Sequence, residues 1–332
     1  MADNSMFRTV VDVPKSHSAI HHRHAILCMG SCFAETMGAL LTDFLFNACV
    51  NPFGILFNPA SIASGLKRLA ERAPYAEQDL FFSSGLWHSW DHHGGFSAAS
   101  CDDCLAKINA HFFKGCDAFR TCDVLILTLG TAVAFSLRES GRIVANCHKQ
   151  PAAQFDRRLL SIEEIVKDLA EVLGRLYSLR PGCLCIATVS PVRHVRNSAH
   201  ENLVSKSTLV CALHELEKAF SRLYYFPAYE IMMDELRDYR FYKEDMTHPA
   251  DVAIGYLWER FMEACLDPGS RQFVREWEPV RKAMGHRTTQ QSDDATKAFA
   301  LSQLDAIRDI AGRYPEADVG PALEYFNGLS SR

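Results

Sequence analysis

The sequence predicts an α/β protein: a parallel sheet covered by helices, followed by a helical appendage. Three observations lead there. Short apolar runs bounded by turn residues alternate with segments of helical period, in the order strand, helix, strand, helix. The plainest helical segment, "SIEEIVKDLAEVLGRLYSLRPG", opens on a capping box and is followed by the strand "CLCIATV". Beyond Pro268 the strand signals stop and only helical and polar turn segments follow.

The chain has 332 residues, 48% of them hydrophobic, and a net charge of −5. That length suits one large domain or a domain with an appendage, here divided as 1–268 and 269–332. The charge lacks the basic surplus of a nucleic-acid binder, and no 18-residue apolar run argues for a membrane. The N-terminal stretch has no secretion pattern, so a cytoplasmic location is expected. The twelve cysteines include several inside apolar strands, as in "CLCIATV", and are expected as reduced, buried thiols.

The first element is "AILCMGSCFAETMGALLTDFLF": Ala25 to Cys28 read as a strand, and Phe33, Met37, Leu40, Leu41 and Phe44 recur at helical spacing. "NACV" (47–50) is a second short strand and 59–72 a helix, joined by "NPFGILFNP". A polar, aromatic segment covers about 75–100, a helix 101–113, a strand 123–130, and a hairpin around "ESGR" 131–146. Ser161 and Glu164 form a capping box for a helix whose apolar face is Ile165, Leu169, Val172, Leu173 and Leu176, ended by Pro181-Gly182. A strand at 183–189, a helix near 203–221, a strand at "LYYF", a helix around 228–237 and the helix "ADVAIGYLWERFMEA" complete the alternation.

Ligands of open parallel sheets bind beyond the carboxyl ends of the strands. The positions there are Gly30-Ser31, "NPFG" at 51–54, Gly130-Thr131, Ser190-Pro191 and "YKEDMTHPAD". Ser31 suits two roles, a helix N-cap or a nucleophile beside helix-start amides that stabilise an oxyanion. The last segment supplies a partner for the second role. Asp245 and His248 are three apart in a turn, so the carboxylate can hold one ring nitrogen while the other faces the sheet edge as general base.

"GSCFA" at 30–34, with "NPFGILFNP", "LTLGTA", "VANCHK", "TVSPVRH" and "ELRDYRFYKEDMTHP" in order, resembles the GSCFA family over roughly residues 7–265. That family resembles the SGNH/GDSL hydrolases, which implies a three-layer flavodoxin-like fold and a serine esterase mechanism without cofactor or metal. The resemblance makes Ser31 the nucleophile, its amide and that of Gly54 oxyanion donors, and Asp245 and His248 the rest of a catalytic triad. It departs from the wider class at "LGTA", where an asparagine donor is missing. Thr131 stands at the position, and Asn146 or His148 are expected ahead of it, carried over the site by the hairpin.

Other residues admit two readings. Cys32 is a rival nucleophile or a packing residue. "WHSWDHHGGF" is read as a substrate-facing loop containing His88 in preference to a metal site of His88, His92, His93 and Asp91. His148 and Lys149, and Arg193 and His194 of "SPVRH", are substrate contacts or ordinary surface and strand-end residues. Lys206 and Ser207 are cap and dipole residues of a helix start or part of a family segment. The expected activity is hydrolysis of a carbohydrate or small-molecule O-acyl ester, with deacetylation first, and with no nucleic-acid or membrane partner and a homo-oligomer left open. The rivals are an O-acyltransferase on the same serine and a non-catalytic binding module.

Overall fold

In a computed structural model, residues 9–194, 198–285 and 293–331 are described. The opening apolar run forms β1 (Ala25–Gly30), and Ser31 caps α1 (Cys32–Asp43) by accepting from the Phe33 amide. β2 (Asn47–Val50) and α2 (Pro59–Glu71) follow, the latter capped by Asn58 with Pro59 at a position whose N–H has no helical acceptor. The aromatic segment contains a hairpin, β3 (Leu80–Ser83) and β4 (Leu86–Ser89), turning on Ser84 and Gly85 at positive φ. α3 (Cys101–Thr121) runs past the predicted end at 113 because Cys116 and Phe119 prolong the buried stripe of Cys104, Ile108 and Phe112.

β5 (Val124–Leu129) is buried throughout, and β6 (Val133–Leu137) and β7 (Ile143–Val144) form the predicted hairpin. β8 (Phe155–Leu159) was not foreseen and pairs antiparallel with β6; most of "FDRRL" is exposed, so it carries little apolar signal. α4 (Ile162–Leu179) has the Ser161–Glu164 capping box. After β9 (Leu184–Val189), α5 (Ala199–Ala219) starts earlier than 203 because Ser198 and Glu201 make a second capping box. β10 (Leu223–Tyr225), a short turn α6 (Ala228–Glu230) that widens into a π-helical coil through Glu235, α7 (Asp251–Cys265), α8 (Pro268–Gly285), α9 (Asp293–Arg313) and α10 (Gly320–Ser330) complete the described chain.

The central sheet is parallel with order β2-β1-β5-β9-β10, which is the doubly wound order of flavodoxin-like folds. Alternate strand residues feed two cores. Leu27, Met29, Leu125, Leu127, Cys185 and Ala187 pack with α2 to α5 on one face. Ile26, Cys28, Val124, Ile126, Leu184 and Ile186 pack on the other with α1 and α7. The C-terminal helices join that second core through Phe273, Trp277, Leu304, Ile307 and Phe326, and Trp277 Nε1 donates to Asp43 O at 3.0 Å. All twelve cysteines are free. No helix among the described residues is long and apolar enough to cross a membrane.

At the end of β1 the backbone approaches β5 too closely for a side chain. Gly30 has φ +145°, and a Cβ there would stand 2.1 Å from Thr128 O. Gly30→Ala is therefore expected to cost at least about 3 kcal/mol of stability. Gly174→Ala, inside α4 where a Cβ meets open space, is expected to gain about 0.5–1 kcal/mol. Urea unfolding of both variants measures this; an unmoved midpoint for Gly30→Ala refutes the close approach.

Candidate active site

Strand register puts Gly30, Thr128 and Thr188 side by side, so the residues after β1, β5 and β9 emerge together at one sheet edge. Ser31 is there, 1% exposed. Gly130 is its neighbour: a Cβ on Gly130 would lie 3.3 Å from Ser31 Cβ. Ser31 Oγ accepts from the Phe33 amide at 3.2 Å, the helix-cap bond.

The two amides expected to hold an oxyanion both have backbone acceptors in the structure. The Ser31 amide donates to Thr128 O at 3.1 Å, completing the β1–β5 ladder, and the Gly54 amide donates to Asn51 O at 2.7 Å, closing a turn that needs the φ of +74° at Gly54. The amides at the start of α1 have no intrahelical acceptor before Glu35, which donates to Ser31 O at 3.2 Å. Cys32 is the first of them.

The second half of the site is the turn before α7, where Met246 at φ +55° reverses the chain. Asp245 Oδ1 accepts from the amides of Thr247 and His248 at 2.9 Å each, and Oδ2 lies 2.6 Å from His248 Nδ1. These donations, from the His248 backbone first, hold the Asp245 carboxyl well below the usual carboxylate range. With Nδ1 so held, Nε2 is the nitrogen left to accept a proton. The ring opens on a groove of about 1030 Å³ that also has Cys32, Ile55 and Val192 on its wall. No hydrogen bond joins Ser31 to His248 among the described residues. Along the groove, α1 contributes Phe33 and Leu40, α7 contributes Ile254 and Trp258, and α8 contributes Val274 and Arg281.

Gly130, the neighbour of Ser31, is held in turn by a buried lysine. Lys206 of α5 is 1% exposed, and its Nζ donates to Gly130 O and Ser190 O at 2.7 Å each. Among the described residues no carboxylate pairs with it, and burial pushes it down to about 7. His194 hydrogen-bonds the Gly130 backbone; burial, then the Lys206 charge, push it down to about 4, so its ring is neutral. Burial raises the Cys32 thiol, with Lys206 as a partial offset, which is contrary to what a thiolate nucleophile requires.

The remaining candidates lie elsewhere or are occupied. Thr131 Oγ1 bonds Ser205 Oγ at 2.9 Å and accepts from the Val133 amide, so it is turned toward α5. Asn146 Oδ1 accepts from the His148 amide in a local turn, and His148 Nε2 contacts Ser89 O at 2.8 Å among the rings of Phe81, His88 and Trp90. The hairpin thus folds onto β3 and β4, and neither residue lines the groove. His88 is buried with both ring nitrogens engaged, by Ser97 Oγ and Ser83 O, which corrects its expected contact with substrate. The Arg193 guanidinium rests on Met233 Sδ at 3.0 Å, off the groove wall. Among the described residues no three His, Cys, Asp or Glu side chains are grouped as metal ligands.

Lys206 was the missed residue, and a signal for it existed. Asn202, Ser205, Lys206, Leu209, Leu213 and Leu216 share the buried stripe of α5 at helical spacing. A lysine on that stripe is out of place for a surface cap. No curated protein matches the sequence. A model of the GSCFA family matches residues 25–261, from the start of β1 to α7. That span holds Ser31, Lys206, Asp245 and His248 together, and the chain belongs to the GSCFA family.

Proposed function

We propose that the protein is a serine ester hydrolase acting on an O-acyl ester of a carbohydrate or small molecule, in the manner of the SGNH/GDSL hydrolases that its family resembles. The observation that carries this reading is the Asp245–His248 pair, whose Nδ1 is held at 2.6 Å and whose ring opens on a groove beginning at the residue next to Ser31. In the reaction Ser31 Oγ attacks the ester carbonyl carbon and its proton passes to His248 Nε2. The carbonyl π pair becomes the oxyanion. Collapse breaks the C–O bond, the alcohol leaves with the proton from His248, and water repeats the sequence to free the acid and Ser31. Asp245 stays ionised throughout and fixes the tautomer.

The groove is larger than an acetyl group needs. Its size favours one second reading, transfer of the acyl group to an acceptor alcohol held in the same groove. Product analysis with and without sugar acceptors separates transfer from hydrolysis.

Ser31→Ala is expected to lower turnover of a short-chain aryl ester at least about 10³-fold while removing only a helix cap, about 1 kcal/mol of stability. Retained activity that disappears instead in Cys32→Ala identifies the thiol as nucleophile. His248→Ala is expected to lower kcat about 10³-fold and to abolish the acid limb of the pH profile, because the base works only after losing its proton. Asp245→Asn, which keeps the base but disturbs its tautomer, is expected to cost less. Full activity in His248→Ala, measured with the same ester from pH 5 to 9, excludes the base role.

A further inference from the structure

We infer that Lys206 is a positioning residue of this site: its ammonium, pinned between Gly130 O and Ser190 O, holds Gly130 against Ser31 and acts across it to stabilise the oxyanion. The inference rests on the serine hydrolase reading. Its first support is the placement. The two carbonyls end β5 and β9, and both bonds are 2.7 Å, so Nζ is fixed at the sheet edge where Ser31 emerges. The Cys32 thiol, one residue from Ser31, and the His194 ring both feel this charge.

The second support is what surrounds the ammonium. Cys32 faces it from α1, His194 from the loop after β9 and the Tyr229 ring from α6 at 5.6 Å, with the Ser205–Thr131 hydroxyl pair beside it on α5 and the β5 loop. His248 influences His194 from the groove side, and Asp245 reaches Cys32. None of the immediate neighbours is a carboxylate. Tying two strand ends together needs only neutral donors, whereas burying an unpaired ammonium opposes folding. The third support is a deficit. The Ser31 and Gly54 amides already have acceptors and "LGTA" carries no asparagine, so the developing negative charge lacks the usual donors.

The charge state makes the inference testable. Burial lowers the Lys206 ammonium to about 7, so positive charge at the site is lost as pH rises through neutrality. Turnover is then bell-shaped: His248 must lose a proton, and Lys206 must keep one. Stability runs the opposite way. Between about pH 7 and 10.5 an unfolded lysine is protonated while the folded Lys206 is not, so stability rises with pH across that window.

The experiment measures kcat and KM for a short-chain aryl ester from pH 5 to 9.5, together with the rate at which a fluorophosphonate labels Ser31, read by mass spectrometry. It compares the full-length protein with Lys206→Met, Lys206→Arg and Ser31→Ala, and follows unfolding by urea. Lys206→Met is expected to lower kcat and labelling about 10²-fold with KM within about threefold, and to lose the alkaline limb. Lys206→Arg is expected to recover at least about tenfold of that loss and to move the alkaline limb above pH 9, since a guanidinium keeps its charge. The rise of stability with pH is expected in the unsubstituted protein and absent in Lys206→Met. Activity in Lys206→Met that falls only in step with its folded fraction overturns the inference, as does an alkaline limb that survives in that variant. Should Lys206→Met not fold, a flat profile from pH 6.5 to 9 in the unsubstituted protein overturns it. Turnover and labelling that persist in Ser31→Ala sink the hydrolase reading itself; an inactive Ser31→Ala beside an unaffected Lys206→Met removes only the role of the lysine.

Discussion

The closeness of β1 to β5 at Gly30 is the constraint on which the site depends. Because residue 30 has no Cβ, its amide reaches Asn51 Oδ1 at 2.9 Å, the next amide reaches Thr128 O, and the chain turns into α1 at once. Asn51 is itself held at φ +44°. Its amide donates to Cys28 O at 2.8 Å and its Nδ2 to Glu35 Oε2 at 2.7 Å. The end of β1, the loop after β2 and the first turn of α1 are thus one hydrogen-bonded unit, and the place of Ser31 is set by backbone, not by a free rotamer. The same unit uses the Ser31 and Gly54 amides to build itself.

The sheet was legible because most of its strands are short, largely apolar runs and each covering helix has a clear stripe or cap, while its order followed from the family resemblance. α4 is the plainest case, with both. The hairpin of β3 and β4 was not legible, since Phe81 and His88 face each other through ring stacking across strands whose polar neighbours hide the alternation. Ser31 was expected at a strand end and follows β1, whereas Asp245 and His248 lie in the turn before α7, separated from β10 by the coil after Tyr225. The histidines misled for a physical reason: His88, His92 and His148 are aromatic surfaces as well as titratable groups, and here they pack on Phe81, Trp90, Phe53 and Tyr75. Burial lowers His92 to about 3, so it behaves as a polar ring within a core. Lys206 escaped for the converse reason, because nothing local in "NLVSKS" states which face of the helix turns inward.

Charge at the sheet edge is arranged by depth. Asp245 and His248 are about half-exposed, so Asp245 can remain ionised in water while its backbone donors fix the pair. Below them His194 is neutral and the Lys206 ammonium is fully enclosed. A buried charge acts over a longer range than a solvated one, because water does not screen it.

The groove is built from two parts of the chain. Its mouth, with Cys32, Ile55, Val192 and His248, lies inside the residues matched by the family. The far wall is α8, which lies beyond residue 261 and is packed onto α1 through the second core. There Arg281 pairs with Glu278 at 2.9 Å and with Asp43 at 3.6 Å and lies over the Phe44 ring, while Lys282 pairs with Glu278 at 3.1 Å. The groove lining thus combines the apolar side chains of Phe33, Leu40 and Trp258 with the charged side chains of α8. Such partly exposed pairs add little to folding. Arg275, also of α8, and Lys243 line the same groove. Substitutions in α8 therefore change the groove wall without touching Ser31, Asp245 or His248.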